Sequence, residues 1–177
     1  MLKVALIGPE STGKTTLAGQ LATHYKGVWV SEFARQYIDD LKGKPYTYEE
    51  LLIMAKGQLA LENKMAATKP AFLFIDTEMT VIKIWSENAY QKCDPWILEA
   101  WKNQDYDLYL LMSVDLPWEE DPQRVFSDLA TRQHLFESYK QHLHQKEAHF
   151  KIISGKGKTR FENAIQAVEA LKPQTHD

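Results

Sequence analysis

The sequence predicts an α/β fold: a five-stranded parallel sheet with helices on both faces, organised as one domain over residues 1–177 with a helical lid at about 118–146. Three observations predict it. First, Gly8-Pro-Glu-Ser-Thr-Gly13-Lys14-Thr15 matches G-x-x-x-x-G-K-[ST], with a short apolar run before it and helical periodicity after it. That is a phosphate loop between a strand and a helix, and it makes the fold a P-loop NTPase. Second, five nearly continuous apolar segments alternate with helical patterns, as expected of parallel strands buried on both faces. Third, polar residues collect where those segments end, and open α/β sheets bind ligands beyond the carboxyl ends of their strands.

The elements follow in chain order. Lys3 to Ile7 reads as the first strand, and Leu17, Ala18, Leu21, Ala22 and Tyr25 mark the helix after the phosphate loop. Val28 to Val30 is a second strand, ending at Ser31-Glu32. Thr47 and Glu50 have capping-box spacing and open a helix through Leu51, Ala55, Leu59 and Ala66, which Lys69-Pro70 stops. Phe72 to Ile75 is the third strand and ends at Asp76; helices then carry Val81, Ile82 and Trp85, and, beyond Asp94-Pro95, Ile97, Leu98 and Trp101. Leu108 to Val114 is the fourth strand, ending at Asp115, and a polar helical segment runs from about Gln123 to Lys146. Phe150 to Ile153 is the fifth strand, followed by Ser154-Gly155-Lys156 and a second capping box at Thr159 and Glu162. Its helix turns Ala164, Ile165, Val168 and Leu171 inward, and the tail Pro173 to Asp177 is expected to fray.

Composition narrows the function. The 21 Lys and Arg nearly balance the 24 Asp and Glu, so the basic field that nucleic acid or an anionic membrane selects is absent, and the expected partner is a small molecule. A single cysteine, Cys93, forms no internal disulfide, and no Cys/His pattern has zinc spacing. His142 and His144, two apart, face different sides of a helix. The N-terminal apolar run is too short for a signal peptide and no run approaches membrane-spanning length, so the expected location is cytoplasmic.

The chemistry is that of nucleotide phosphates. Gly8, Glu10, Ser11, Thr12, Gly13, Lys14, Thr15 and Thr16 are the expected ATP-binding residues, because loop N–H groups and a helix N-terminus favour bound phosphate. Lys14 reaches the β- and γ-phosphates, and Thr15 holds Mg²⁺. Asp76 closes an apolar strand as a Walker B aspartate does and is the second expected Mg²⁺ residue; the alternative is a helix N-cap. Glu32 can take the proton of an attacking hydroxyl while Arg35 holds the substrate, against the plainer reading of a surface pair three residues apart. Arg124 and Arg132 lie where small-molecule kinases place a closing lid and are assigned to transition-state charge; an exposed charged helix is the alternative. Trp118, in a polar loop after a strand, is the candidate platform for a planar ring.

The runs G-P-E-S-T-G-K-T-T-L, S-E-F-A-R-Q-Y, Gly57-Gln58 with Glu62, D-T-E with Lys83-Ile-Trp85-Ser, and D-L-P-W-E-E-D-P-Q-R resemble the ribosylnicotinamide kinase domain of the NadR family, in order and over nearly the whole chain. The resemblance implies a P-loop kinase fold of the nucleoside and nucleoside-monophosphate kinase type. It also implies phosphorylation of nicotinamide riboside by ATP, in NAD biosynthesis, with Glu32, Arg35, Asp76, Trp118, Asp121 and Arg124 in the site. No H-x-G-H adenylyltransferase signature occurs, so adenylyl transfer is not expected.

On this reading the riboside hydroxyl attacks the γ-phosphate in line. The adenine rests near Ser154, Gly155 and Lys156, and the pyridinium meets Trp118 with Asp121 or Glu78. Two alternatives stay open: a kinase of another nucleoside or small metabolite, and a non-enzymatic nucleotide sensor.

Overall fold

The structure, a computed structural model, describes residues 1–171. Strands β1 (Leu2–Ile7), β2 (Val28–Val30), β3 (Phe72–Asp76), β4 (Leu108–Met112) and β5 (Phe150–Ile153) form one parallel sheet in the order β2-β3-β1-β4-β5. Between them run α1 (Lys14–Tyr25), α2 (Phe33–Asp40), α3 (Tyr48–Ala66), α4 (Met79–Tyr90), α5 (Pro95–Asn103), α6 (Leu129–Gln145) and α7 (Gly157–Glu169). Strands β3 and β4 flank β1, and the chain leaves β1 for β2 on one side but leaves β3 for β4 on the other, so the connections reverse direction there and open a crevice at the carboxyl end of the sheet.

Strand periodicity explains the two layers. Val4 and Leu6 of β1 point to one face, where they pack with Leu17 and Leu21 of α1 and Ala164 and Val168 of α7. Ala5 and Ile7 point to the other, against Ile84 of α4 and Leu135, Tyr139 and Leu143 of α6. Each fully buried Leu or Ile in these layers contributes about 1.5 to 3 kcal/mol. No described helix is long and apolar enough to cross a membrane.

Four local expectations change. The segment Phe33–Asp40 is an additional helix, whose Ala34, Tyr37 and Ile38 share one face, with only Ala34 fully buried. The fourth strand ends at Met112 rather than Val114. The helix expected from about Gln123 begins at Leu129, where Asp128 caps it by accepting the N–H groups of Ala130 and Thr131. Pro117 and Pro122 disfavour helix in the irregular stretch before it. The first capping box forms, with Glu50 accepting from Thr47 N at 2.7 Å. The second does not: α7 starts at Gly157 after Lys156, without a side-chain cap. The tail Pro173 to Asp177 lies outside the described residues.

Candidate active site

The link between β1 and α1 is shaped for close backbone approach. Gly8 has φ 137°, and a Cβ there would lie 2.9 Å from the Met112 carbonyl oxygen, so only glycine fits beside β4. Gly13, at φ 78°, is the N-cap of α1. The Lys14 ammonium donates to the carbonyls of Gly8 and Pro9, each at 2.9 Å. Burial lowers its pKa, and the carboxylates of Asp76, Glu32 and Glu10 oppose that fall. Two buried arginines brace the loop: Arg160 donates to Thr12 O at 3.1 Å and Arg132 to Ser11 O at 3.1 Å.

Beside this loop opens a cavity of about 360 Å³. Its lining combines residues 8–16, Glu32 and Arg35 with the side chains of Ile38, Val81, Ile84, Trp85, Leu135 and Tyr139, and Asn88 among them. The lining therefore offers groups that suit phosphate and groups that suit a flat, largely apolar ring.

The acidic residues divide by geometry. Glu32 is the N-cap residue of α2, yet its side chain caps nothing, and its nearest cation is Arg35 Nε at 4.0 Å. Burial raises its pKa, with Lys14 opposing and Asp76 reinforcing the rise. Asp76 is fully buried, and neither carboxylate oxygen has a hydrogen-bond partner. Burial raises its pKa too; Thr15 and Lys14 lie near enough to oppose that rise without completing a hydrogen bond. The helix-cap alternative for Asp76 fails, because the cap of α4 is Glu78, which accepts the Thr80 N–H at 2.9 Å. Between them Thr77 takes φ 76°, a strained backbone for a β-branched residue, and its buried hydroxyl is also unpartnered. Among the described residues, buried side-chain polar atoms without partners belong to Asp76, Thr77, Glu78 and Arg132.

The 116–128 segment closes over the loop. Arg124 donates to Ser11 Oγ at 2.8 Å and to Glu119 O at 2.7 Å, and Glu10 accepts the N–H groups of Val125 and Phe126. Asp121 accepts from Arg35 at 2.8 Å, tying the segment to α2. The Gln123 N–H, and then Arg35, hold the Asp121 carboxyl below the usual range.

The structure gathers Gly8, Glu10 to Thr16, Glu32, Arg35 and Arg124 around the cavity, with Asp76 buried near Lys14. Other expected site residues lie elsewhere. Trp118 stands outside the cavity under the Arg132 guanidinium, 5.8 Å from its ring centre, and Trp85 supplies the aromatic wall instead. Glu78 is turned into the protein by the backbone at Thr77 and does not line the cavity. Asp121 pairs with Arg35 rather than lining it. Ser154, Gly155 and Lys156 are replaced along the wall by Gly157 and Arg160, because α7 begins early. Arg132 is buried on backbone carbonyls of Ser11 and Leu116 and braces the loop from beneath.

Several contributors carry no catalytic signature in sequence. Buried Gln58 accepts the Phe33 N–H at 2.7 Å and donates to Ser31 O, which fixes the turn bearing Glu32. Gly57 precedes it because a Cβ there would lie 2.2 Å from the Phe33 ring. Arg160 also ion-pairs with Asp115, whose other oxygen accepts the Gly155 N–H.

The residues present fit a magnesium ion bound beside nucleotide phosphate. Mg²⁺ takes one or two protein oxygens and completes its shell with phosphate and water. A buried carboxylate without partners, close to the Thr15 hydroxyl, is a donor set of that kind.

Comparison with known proteins matches residues 3–160 to the family model AAA_28, described as an AAA domain. The chain is 25% identical over 134 residues to the trifunctional NAD biosynthesis/regulator protein NadR of Salmonella typhimurium (strain LT2), a match over 73% of this chain and 32% of that protein. It thus spans about a third of the curated relative's length. Two crystal structures of NadR protein, in complex with NR and with NAD and AMP-PNP, each superpose with TM-score 0.79 over 96% of this chain. They are 20% and 21% identical to it, and the match covers 51% and 49% of their chains. Thymidylate kinase from Ehrlichia chaffeensis superposes with TM-score 0.67 at 13% identity, over 97% of this chain and 98% of its own. These likenesses show the fold of P-loop nucleoside and nucleotide kinases.

Proposed function

This chain belongs to the AAA-domain family matched over residues 3–160, and from that premise we propose that it is an ATP-dependent small-molecule kinase acting on nicotinamide riboside. The observation that carries the reading is the mixed lining of one cavity: the phosphate loop with Lys14, Arg124 and Glu32, together with the aromatic side chains of Trp85 and Tyr139. The similarity to NadR, one of whose structures holds NR, supports the choice of acceptor.

In this mechanism the loop N–H groups and Lys14 hold the β- and γ-phosphates of ATP. The acceptor ring lies against Trp85, which brings its ribose hydroxyl toward Glu32. Glu32 accepts the hydroxyl proton as the oxygen attacks the γ-phosphate. Its raised pKa makes it a stronger base than an ordinary carboxylate. Arg124, docked across Ser11, neutralises charge that develops on the transferred group. Thr15 and Asp76 would hold Mg²⁺, which when bound offsets phosphate charge. Arg35 and Asp121 keep the 116–128 segment closed and water out.

A pyridinium ring carries positive charge, and a cation over a Trp face gains about 0.5 to 2 kcal/mol, which discriminates about two- to thirtyfold. The test is kcat/KM with ATP for nicotinamide riboside, uridine, cytidine and adenosine. Preference for the riboside is expected. Faster phosphorylation of a neutral nucleoside overturns the acceptor and leaves the kinase; no transfer to any of them, with ATP bound, overturns the nucleoside kinase and leaves a kinase of another small metabolite or a nucleotide sensor.

A further inference from the structure

Glu10 lies in the middle of the phosphate loop, where a carboxylate has the same sign as the ligand the loop is built to hold. Its placement gives it a different task. Oε2 accepts the main-chain N–H of Val125 at 2.9 Å and of Phe126 at 3.0 Å, across more than a hundred residues of sequence. Those are the two residues directly after Arg124. The neighbouring loop residue, Ser11, receives the Arg124 guanidinium on its hydroxyl at 2.8 Å, and the same hydroxyl accepts the Glu119 N–H at 3.2 Å. The acidic neighbours of Arg124 are farther off, Asp121 at 3.7 Å and Glu119 at 3.9 Å.

The main chain on the C-terminal side of Arg124 is therefore anchored by one side chain, and that side chain belongs to the phosphate loop itself. A charged acceptor makes such hydrogen bonds about twice as strong as a neutral one. Two consecutive amides on one oxygen also fix the direction of the chain as well as its distance. We propose that Glu10 is a positioning residue for phosphoryl transfer: it docks the 116–128 segment on the phosphate loop and thereby sets Arg124 over it. This rests on the kinase reading for its consequence, but not for the docking. The loop that holds the phosphates and the arginine that neutralises them are then one rigid unit.

The test compares the full chain with Glu10→Ala, Glu10→Gln, Arg124→Ala and the double variant Glu10→Ala/Arg124→Ala. Single-turnover transfer from ATP to nicotinamide riboside falls about 10- to 100-fold in Glu10→Ala, the size of loss that a misplacement near 1 Å produces. KM for ATP moves less than about threefold, because the substitution keeps the Glu10 main-chain N–H and removes only a carboxylate that is turned to the 116–128 segment. Glu10→Gln, which keeps an acceptor oxygen but not the charge, recovers part of the rate and lies between Glu10→Ala and wild type. The double variant is no slower than Arg124→Ala alone, since both changes remove one interaction. Hydrogen exchange over residues 119–128 speeds up in Glu10→Ala while the melting temperature holds. A double variant whose loss equals the product of the single losses overturns the proposal. So does unchanged exchange. If wild-type protein phosphorylates no acceptor, the kinase reading fails and the exchange arm still decides the docking. If Glu10→Ala does not fold, Glu10→Gln carries both arms, with intermediate slowing and intermediate exchange supporting the proposal and wild-type values overturning it.

Discussion

Two buried carboxylates, Glu62 and Asp76, sit near opposite ends of the same sheet and are treated in opposite ways. Glu62, 1% exposed, lies at the amino-terminal end: it pairs with Lys3 at 2.6 Å and accepts from Tyr106 at 2.7 Å and Gln104 at 3.1 Å. Asp76, 0% exposed, lies at the carboxyl end and has no hydrogen-bond partner for either oxygen. Burying a charge is costly unless partners replace its water. The satisfied carboxylate joins β1, α3 and the approach to β4 into one structure. The unsatisfied one costs stability, and its place beside Lys14 and Thr15 fits the ligand-binding role proposed for it.

The comparison can be broken most sharply at Glu32, which shares with Asp76 a pKa raised by burial. Glu32→Gln lowers kcat for transfer by about 10²- to 10⁴-fold, because the amide keeps the shape but takes no proton. In wild type the acidic limb of the kcat–pH profile lies above the ordinary glutamate pKa of about 4.3. Stopped assays across pH check both; a variant with near-normal kcat removes the base role.

The next effect is on stability at the other end. Glu62→Ala strands Lys3, Gln104 and Tyr106, and costs about 2 kcal/mol, below the 3 to 5 of fully buried pairs because Lys3 is 27% exposed. Calorimetry then shows a Tm lower by about 4 to 8 °C, with kcat/KM unchanged. Loss of activity without loss of stability would show that Glu62 belongs to the site.

The smallest expected effect has the opposite sign. The folded-state pKa of Asp76 is raised, so its contribution favours folding at low pH and is lost as pH rises through that raised value. Asp76→Asn removes the penalty and raises Tm at neutral pH by about 2 to 4 °C, while transfer is abolished. The difference closes as pH falls toward the ordinary aspartate value of about 3.9. A variant that melts lower at neutral pH would mean that Asp76 is a structural residue after all.

Much of this architecture was legible in the sequence. The phosphate loop is a local pattern, and the strands are apolar runs that no helix period explains, so β1, β3 and β4 could be read with Asp76 at the end of one of them. The site was less legible wherever a side chain's direction depends on an element boundary. Trp118 and Trp85 look alike in composition, but only Trp85 rides on α4 toward the cavity. Glu78 follows Asp76 by two residues, and the left-handed backbone at Thr77 turns it inward. Arg132 reads as an exposed helical charge by residue type, yet it falls on the same helical face as Leu135, Tyr139 and Leu143 and is buried with them. Gln58 gave no chemical signal, because its role is to hold a turn twenty-five residues away.

The most direct measurement is a single turnover of enzyme with γ-labelled ATP, Mg²⁺ and nicotinamide riboside, followed by separation of products. The account predicts that the label appears on the riboside's 5′-oxygen as nicotinamide mononucleotide, and that Asp76→Asn, though better folded, forms none. Label released only as inorganic phosphate, or carried to the riboside equally well by Asp76→Asn, would contradict it.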